Sequence, residues 1–147
     1  GGGLISGIAI ALKENCPNVK IIGVSMEKGA AMYESQRKGE PVRVKEVPTL
    51  ADSLGGGIGL KNMFTFKLFR SLVDDFILVS EEEIIEAIRY AYLYTGQTIE
   101  GSAAVGLAAI LAGKFRFSGD TLALLTGNNI DKELHSRITL GQQKSET

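Results

Sequence analysis

The chain has little of several residue types, and the shortage of cysteine is the most informative. Cys16 is the single cysteine among 147 residues, and the chain contains no tryptophan and only three prolines. One cysteine cannot form a disulfide within the chain, so a disulfide-stapled secreted scaffold is excluded. A lone thiol is typical of a reducing compartment, and we therefore expect a cytoplasmic protein.

An excess of either charge is also absent. The chain has 16 Lys and Arg residues against 17 Asp and Glu residues, which gives a formal net charge of −1. Because the sequence shows no basic stripe, we expect no nucleic-acid partner and no membrane surface as a partner. The longest apolar run, residues 103–112, is far shorter than the roughly 20 residues that a membrane span requires.

Glycine is abundant instead, and three of the 18 glycines open the chain. Gly1, Gly2 and Gly3 are followed by apolar residues at helical spacing, from Leu4 to Leu12. Backbone N–H groups in a glycine run can turn toward an anion, and a helix N-terminus adds about half a positive charge. The pattern therefore predicts a phosphate site, and a tight structural turn is the alternative. Such loops normally follow a strand, so we expect the chain to begin within a domain.

Helix and strand signals alternate along the chain. Ser80 and Glu83 form a capping-box pattern at the start of one helix, and we expect residues 81–83 to be a solvated helix start. Alternating strands and helices favour an α/β fold with a parallel sheet covered on both faces. The spacing predicts helices over 4–12, 29–38, 62–72, 80–94, 101–112 and from 131, and buried strands over 19–24, 76–79 and 121–125.

Five motifs carry a resemblance to a known family. They read, in chain order, GGGLISGIAIAL, ADSLGGGIGLKN, LVDDFILVSEEEI, IEGSAAVGLAAI and LALLTGNNID. Together they resemble the threonine dehydratase and serine racemase group, which are pyridoxal-phosphate enzymes of the tryptophan-synthase-β fold type. Two stretches, VSMEKGAAM and ADSLGGGIG, are most similar to the dehydratase of hydroxyectoine breakdown.

This resemblance implies a three-layer parallel-sheet sandwich. Residues 1–141 would be the C-terminal portion of the large cofactor-binding domain of such an enzyme, starting at its phosphate loop. Residues 142–147 would be a polar tail.

The same resemblance implies pyridoxal 5'-phosphate as the cofactor and assigns residues to it. The backbone amides of Gly1, Gly2, Gly3 and Leu4 would hold the phosphate, the Thr126 hydroxyl would meet the pyridine nitrogen, Asn129 would end that loop, and Glu100 would lie beside the ring. Asp52 and Ser53 match a segment on the substrate side.

Simpler interpretations exist for several residues. Thr126 can end a strand with a side-chain turn, and Glu100 can be an acid that stabilises the N-terminus of a helix. His135 is the single histidine, and no serine or cysteine partner is suggested for it, so we expect it on the surface of a helix.

Two departures from the family's pattern bear on the chemistry. The family's Schiff-base lysine lies in a Ser-x-Lys-x-Arg-Gly motif, and none of the lysines here lies in that setting. Ser25 and Ala31 stand where related enzymes have carboxylate ligands for a divalent cation, so we expect no metal.

The resemblance therefore predicts part of a threonine/serine dehydratase-like lyase. Its reaction would be β-elimination of water, followed by deamination, from a small hydroxy amino acid. Without the lysine we expect no catalysis by this chain alone. The expected partners are the N-terminal half of the same enzyme and a second copy in a homodimer. The alternative is a non-catalytic α/β module that binds a phosphate-bearing ligand or a protein partner.

Overall fold

The computed structural model describes residues 1–62, 64–116 and 119–140. The tail expected at 142–147 lies outside these residues, so the domain end at 141 stays a prediction. Contacts divide the chain into two compact units. The first unit comprises residues 1–48 and 54–78, and the second comprises residues 49–53 and the described residues from 79 onward.

The described residues form helices and strands in alternation over the first part of the chain. The elements are α1 (Gly3–Asn15), β1 (Ile22–Met26), α2 (Ala31–Lys38), a 3₁₀ turn (Asp52–Leu54), α3 (Thr65–Leu72), β2 (Asp75–Val79), α4 (Glu81–Thr95), α5 (Gly101–Leu111) and α6 (Lys132–Leu140). β1 and β2 are neighbours in a parallel sheet, and the α/β class is confirmed. Of the helices in the described ranges, none has the length and apolar character that crossing a membrane requires.

An apolar cluster holds the first unit together. Ala9 of α1, Phe69 of α3 and Val73 are buried, and Phe76 of β2 packs against them. The ring centroids of Phe69 and Phe76 lie 5.6 Å apart. Gly23 of β1 makes room for this packing, because a Cβ at that position would lie 2.9 Å from the Phe76 ring. The cluster fixes α1 against α3, and thereby also fixes the N-terminal end of α1.

Asp74 connects the turn before β2 to α1. Its carboxylate accepts hydrogen bonds from Ile21 N, at 2.8 Å, and from Lys13 Nζ, at 2.9 Å. The backbone hydrogen bond from Ile21 and then the hydrogen bond from Lys13 lower the pKa of the Asp74 carboxyl below its ordinary value. The ionised carboxylate is therefore the form that the folded first unit prefers.

The second unit is built around α4, which packs against α5 and α6. Small residues on the facing surfaces of the helices allow close approach. The buried residues are Ile84, Ala87, Ile88 and Ala91 of α4, Gly101, Ala103, Ala104, Val105, Ala108 and Ala109 of α5, and Ile138 of α6. Gly101 at the start of α5 touches residues 50–51, since a Cβ there would lie 2.0 Å from the Leu50 carbonyl oxygen.

The strand predicted at 121–125 is wrong. These residues have no regular secondary structure, and Leu122 is 79% exposed. A strand requires a hydrogen-bonded neighbour and a covered face. The described residues supply neither to this segment, so its apolar β-type composition is insufficient. The first predicted strand is confirmed, but at Ile22–Met26 rather than at 19–24.

Candidate functional site

The N-terminus of α1 presents backbone N–H groups at its end. Gly2 precedes the helix with a left-handed φ of 84°, a conformation that glycine adopts at little cost. The first helical hydrogen bond runs from Ser6 N to the Gly2 carbonyl oxygen, at 3.1 Å. The N–H groups of Gly3, Leu4 and Ile5 precede that bond, so no carbonyl within the helix accepts from them.

This end of α1 also keeps its positive partial charge. Its first turn contains no Asp or Glu, and no described side chain caps it. The first turn of α4, in contrast, contains three Glu residues and a complete capping box. The Ser6 side chain is 2% exposed, and its Oγ has no hydrogen-bond partner among the described residues. The positive partial charge of the helix end and its unused N–H donors both favour binding of an anion at the N-terminus of α1.

The opening glycines leave space beside this helix end. A Cβ on Gly1 or Gly3 would meet no described heavy atom within 4 Å. A Cβ on Gly2 would instead lie 2.7 Å from Met32 Cε and 3.5 Å from Thr65 Cβ. One side of the loop is packed and the other is open, so the residues present fit a phosphate group.

A second cluster of predicted residues lies in the loop after residue 125. Thr126, which is exposed, lines an open cleft of about 420 Å³. The residues lining the cleft are Gln97, Thr98, Ile99, Leu125, Thr126, Gly127 and Asn128. They come from the segment between α4 and α5 and from the loop itself. Thr126 is therefore in contact with the space that a bound molecule would occupy.

Glu100 fastens this loop to the start of α5. Its Oε2 accepts a hydrogen bond from Asn129 N at 2.9 Å, and its own N donates to the Gly127 carbonyl at 3.1 Å. A Cβ on Gly127 would lie 2.6 Å from Glu100 Oε1, so a larger residue would displace the carboxylate. Glu100 is the N-cap residue of α5, but its side chain makes no capping hydrogen bond. The structure thus brings Glu100 and Asn129 together, as members of one hydrogen-bonded turn.

Asp52 and Ser53 form the start of the 3₁₀ turn and are both exposed. Asp52 Oδ1 accepts hydrogen bonds from Ser53 N at 2.7 Å and from Ser53 Oγ at 3.3 Å. These bonds keep the turn tight and leave the second carboxylate oxygen, Oδ2, outside the turn's own hydrogen bonds. The role of the two residues toward a substrate stays a prediction.

The expectation of a solvated helix start at residues 81–83 is wrong for two of the three. Glu81 accepts from Thr49 Oγ1 at 2.5 Å and from Leu50 N at 2.8 Å. Glu83 completes the capping box with Ser80 and pairs with Lys114 at 2.7 Å. The partners of Glu81 lie about thirty residues away in the chain, so no local pattern could have indicated them.

His135 lies on α6 as expected, but it is only partly on the surface. Its Nε2 is buried without a hydrogen-bond partner among the described residues, and its ring meets the Tyr92 ring edge-on at 5.0 Å. Ser25 is buried and donates to Met26 Sδ at 3.1 Å, and Ala31 is also buried. Within the described ranges, no group of three or more His, Cys, Asp or Glu side chains is placed to hold a metal ion.

Two residues beside the opening glycines were missed by the sequence reading. Thr65 Oγ1 donates a hydrogen bond to the Gly1 carbonyl oxygen, and Asn62 Nδ2 donates one to Thr65 Oγ1. The available signal was weak: an Asn and a Thr just ahead of an apolar helical pattern, where polar side chains often cap a helix.

A family model for pyridoxal-phosphate-dependent enzymes matches residues 1–127. The chain belongs to this family. The cofactor of the family, pyridoxal 5'-phosphate, carries the phosphate group that the end of α1 fits. The family match covers both the opening glycines and Thr126.

Individual relatives agree with the family. A protein of Sinorhizobium fredii, named provisionally as a threonine dehydratase, is 50% identical over 142 residues, which are 96% of this chain and 43% of that protein. The L-threonine ammonia-lyase of Thermotoga maritima is 42% identical over 141 residues, covering 94% of this chain and 34% of the relative.

A solved structure has the same fold. The processed form of threonine deaminase isoform 2 from Solanum lycopersicum matches with a TM-score of 0.82 and 32% identity, covering 95% of this chain and 39% of that chain. The present chain thus spans less than half the length of each of these three relatives.

Proposed function

We propose that this chain is the part of a threonine/serine dehydratase-like lyase that holds pyridoxal 5'-phosphate by its phosphate and its ring nitrogen. The observation that carries the proposal is the uncapped N-terminus of α1, with Gly2 in the left-handed conformation. The buried and unpartnered Ser6 hydroxyl beside it supports the same conclusion.

The N–H groups of Gly3 and Leu4 donate to phosphate oxygens in this proposal. The loop can bind phosphate without a positively charged side chain, because the helix dipole favours a nearby anion. This effect is about 0.3–1 kcal/mol, and more where water is excluded. The first turn of α1 has no carboxylate to compete with the phosphate. These groups anchor the cofactor and take no part in proton transfer.

Thr126 is the proposed partner of the pyridine nitrogen. A hydroxyl is a neutral hydrogen-bond partner, and it does not transfer a proton to the pyridine nitrogen as a carboxylic acid does. Bound pyridoxal phosphate supplies electron withdrawal from the α-carbon of the amino acid, so that the α-proton and the β-hydroxyl can be lost. A neutral nitrogen keeps that withdrawal moderate, which favours β-elimination of water followed by loss of ammonia.

Glu100 and Asn129 complete the proposed ring side of the site. The hydrogen bond from Asn129 N to Glu100 Oε2 supports a role in holding the loop of Thr126 in place. Asp52 and Ser53 are proposed to lie on the substrate side, because their exposed turn leaves Asp52 Oδ2 outside its own hydrogen bonds.

The covalent attachment of the cofactor is not proposed for this chain. None of its lysines lies in the family's Ser-x-Lys-x-Arg-Gly setting. We propose that an N-terminal segment of the same enzyme supplies that lysine, that residues 1–141 complete the large domain, and that the assembled enzyme is a cytoplasmic homodimer. The isolated 147-residue chain is then inactive.

The narrower substrate proposal is a β-hydroxy amino acid that arises in hydroxyectoine breakdown. VSMEKGAAM and ADSLGGGIG support it by their similarity to that dehydratase. Turnover of that amino acid with a higher kcat/KM than L-threonine by the full-length enzyme is the expected result. If the enzyme prefers L-threonine, the general dehydratase proposal stands and the hydroxyectoine proposal is wrong.

The deciding experiment measures 2-oxobutyrate formation from L-threonine by the full-length enzyme and by the 147-residue chain, both supplied with pyridoxal 5'-phosphate. The full-length enzyme is expected to turn over and the chain alone is not. Thr126→Ala in the full-length enzyme is expected to lower kcat by roughly threefold to tenfold, the usual effect of one hydrogen bond, and Thr126→Ser to restore it.

Thr121→Ala is the matched control, because Thr121 is exposed and, among the described residues, its hydroxyl makes one long hydrogen bond, 3.4 Å, to the Gly119 carbonyl. Turnover by the chain alone, or none by the full-length enzyme, contradicts the proposal. Binding of a phosphate-bearing ligand or a protein without turnover by either form favours the non-catalytic module instead.

A further inference from the structure

Asn62 and Thr65 form a hydrogen-bonded pair against the glycines that open the chain. Thr65 Oγ1 lies 2.5 Å from the Gly1 carbonyl oxygen, and Asn62 Nδ2 lies 2.8 Å from Thr65 Oγ1. Thr65 is separated from Gly1 by 64 positions in the sequence. The contact therefore depends on the packing of α3 against α1.

The orientation of the Asn62 amide follows from its other neighbours. Nδ2 lies 2.9 Å from the Ile58 carbonyl oxygen, which can only accept a hydrogen bond. Oδ1 lies 3.0 Å from Phe66 N, which can only donate one. The amide group thus has one consistent assignment, with its NH₂ toward Thr65.

The single hydroxyl proton of Thr65 then has one best acceptor. Asn62 Nδ2 donates to Thr65 Oγ1, so the hydroxyl receives a proton from that side. Asn62 Oδ1 is 3.1 Å from Thr65 Oγ1 and is already used by Phe66 N, whereas the Gly1 carbonyl oxygen is nearer. The chain of donors runs from Asn62 through Thr65 to the Gly1 carbonyl.

Fixing the Gly1 carbonyl also fixes the next N–H group. In a trans peptide the C=O and the following N–H point in opposite directions. With the Gly1 carbonyl directed at Thr65, the Gly2 N–H is directed away from α3. The Gly2 carbonyl is held in turn by Ser6 N. Both peptide groups flanking Gly2 are therefore fixed, although glycine by itself permits many orientations.

The glycine cluster at 55–59 places Asn62 for this role. Gly59 has a left-handed φ of 82°, and its carbonyl accepts from Asn62 N at 3.1 Å. Asn62 Nδ2 reaches back to the Ile58 carbonyl within the same cluster. The turn formed by these glycines therefore ends at Asn62. The amide of the Asn62 side chain is hydrogen-bonded at both its nitrogen and its oxygen.

We infer that Asn62 and Thr65 are positioning residues for an anion site at the N-terminus of α1, orienting the Gly1–Gly2 peptide so that its N–H joins those of Gly3 and Leu4. The inference rests on the proposed function for the identity of the anion as a phosphate group. Neither side chain touches the anion; both act through the backbone of Gly1.

The test titrates the 147-residue chain with inorganic phosphate and follows backbone amide resonances of Gly2 and Gly3 by NMR. Thr65→Val removes the hydroxyl and keeps the side-chain shape. It is expected to shift the Gly2 resonance before any phosphate is added and to weaken phosphate binding by roughly threefold to tenfold. Thr65→Ser restores the hydroxyl and is expected to recover both.

Ser71→Ala is the matched control on the same helix. Ser71 is exposed, and its Oγ donates to the Leu68 carbonyl of the same helix at 3.0 Å. It is expected to leave both readouts unchanged. Thr65→Ala, with a higher helix propensity, gives the same test if the valine variant does not fold.

Unchanged Gly2 resonance and wild-type phosphate affinity in Thr65→Val overturn the inference and leave the proposed function intact. Failure of both the valine and alanine variants to fold assigns Thr65 to stability and also overturns it. Absence of phosphate binding by the wild-type chain overturns both proposals. Phosphate binding that depends on Thr65, together with a full-length enzyme that does not turn over L-threonine, supports the inference and removes the proposed function.

Discussion

Replacing Gly101 by alanine tests the close approach of α5 to the backbone of residues 50–51. The added Cβ would lie 2.0 Å from the Leu50 carbonyl oxygen, 2.4 Å from the Leu50 carbonyl carbon and 3.0 Å from Ala51 N. All three atoms are backbone, so no side-chain rotation relieves the contact. The segment at 50–51 is itself held by Glu81, through Leu50 N at 2.8 Å. Either that hydrogen bond or the start of α5 has to move.

The magnitude follows from the cost of overpacking. One methyl group forced into a packed interior costs about 1–3 kcal/mol, and a backbone contact this short belongs at the upper end. Alanine offsets less than about 1 kcal/mol through helix propensity, because position 101 is the first residue of α5. We expect Gly101→Ala to lower the free energy of unfolding of the second unit by about 2–3 kcal/mol.

The matched control is Gly106→Ala in the same helix. A Cβ at Gly106 would meet no described heavy atom within 4 Å, so only the backbone effect operates. We expect this variant to raise the free energy of unfolding by about 0.5–1 kcal/mol. Both substitutions add one methyl group, but the expected changes in the free energy of unfolding have opposite signs.

Urea unfolding provides the assay. Three of the four tyrosines lie in α4, so tyrosine fluorescence reports mainly on the second unit. The midpoint is expected to fall for Gly101→Ala and to rise for Gly106→Ala, with the slope against urea unchanged. If Gly101→Ala is as stable as the wild type, the reasoning from the Leu50 contact is refuted.

Two further predictions concern carboxylates that accept hydrogen bonds from distant parts of the chain. The folded-state pKa of Asp74 is below its ordinary value, so its stabilising contribution is present above that ordinary value and is lost as the pH falls through the folded pKa. Asp74→Asn should therefore make the thermal midpoint of the first unit less sensitive to pH below about 4, as measured by circular dichroism, and an unchanged sensitivity would contradict the assignment. Glu81→Ala removes the acceptor of the Thr49 and Leu50 hydrogen bonds and should lower the free energy of unfolding of the second unit by about 1–3 kcal/mol. Ser80→Ala, which loses only the helix cap, should cost about 1 kcal/mol in the same urea assay, and a larger loss than for Glu81→Ala would count against the bidentate contact.

Short-range features of the chain were predictable because their partners lie within a few residues. The capping box of Ser80 and Glu83 is such a feature, since both hydrogen bonds close over three positions. The left-handed glycines that end helices, Gly39 and Gly96, are others, because a residue without a Cβ is favoured there. The motifs that resemble the pyridoxal-phosphate enzymes could also be identified from the sequence alone, and the match of residues 1–127 confirms the family.

Long-range features depended on packing, and the sequence pattern did not contain them. Glu81 has the same local surroundings as a solvated helix acid, and only the approach of residues 49–50 gives it two donors. Residues 121–125 have strand composition, but backbone groups pair only when a neighbour is present, and the described residues offer none.

By itself the sequence determined the helices, the glycine-rich N-terminus of α1 and the family, because these depend on local spacing and on residue identity. Only the tertiary structure decided which distant residues hydrogen-bond to the residues of the proposed site. The contact of Thr65 with the Gly1 carbonyl joins residues 64 positions apart, and that of Glu100 with Asn129 joins residues 29 apart. A hydrogen bond across such a distance forms only after the helices that carry its partners have packed, since the chain between them leaves many other arrangements open.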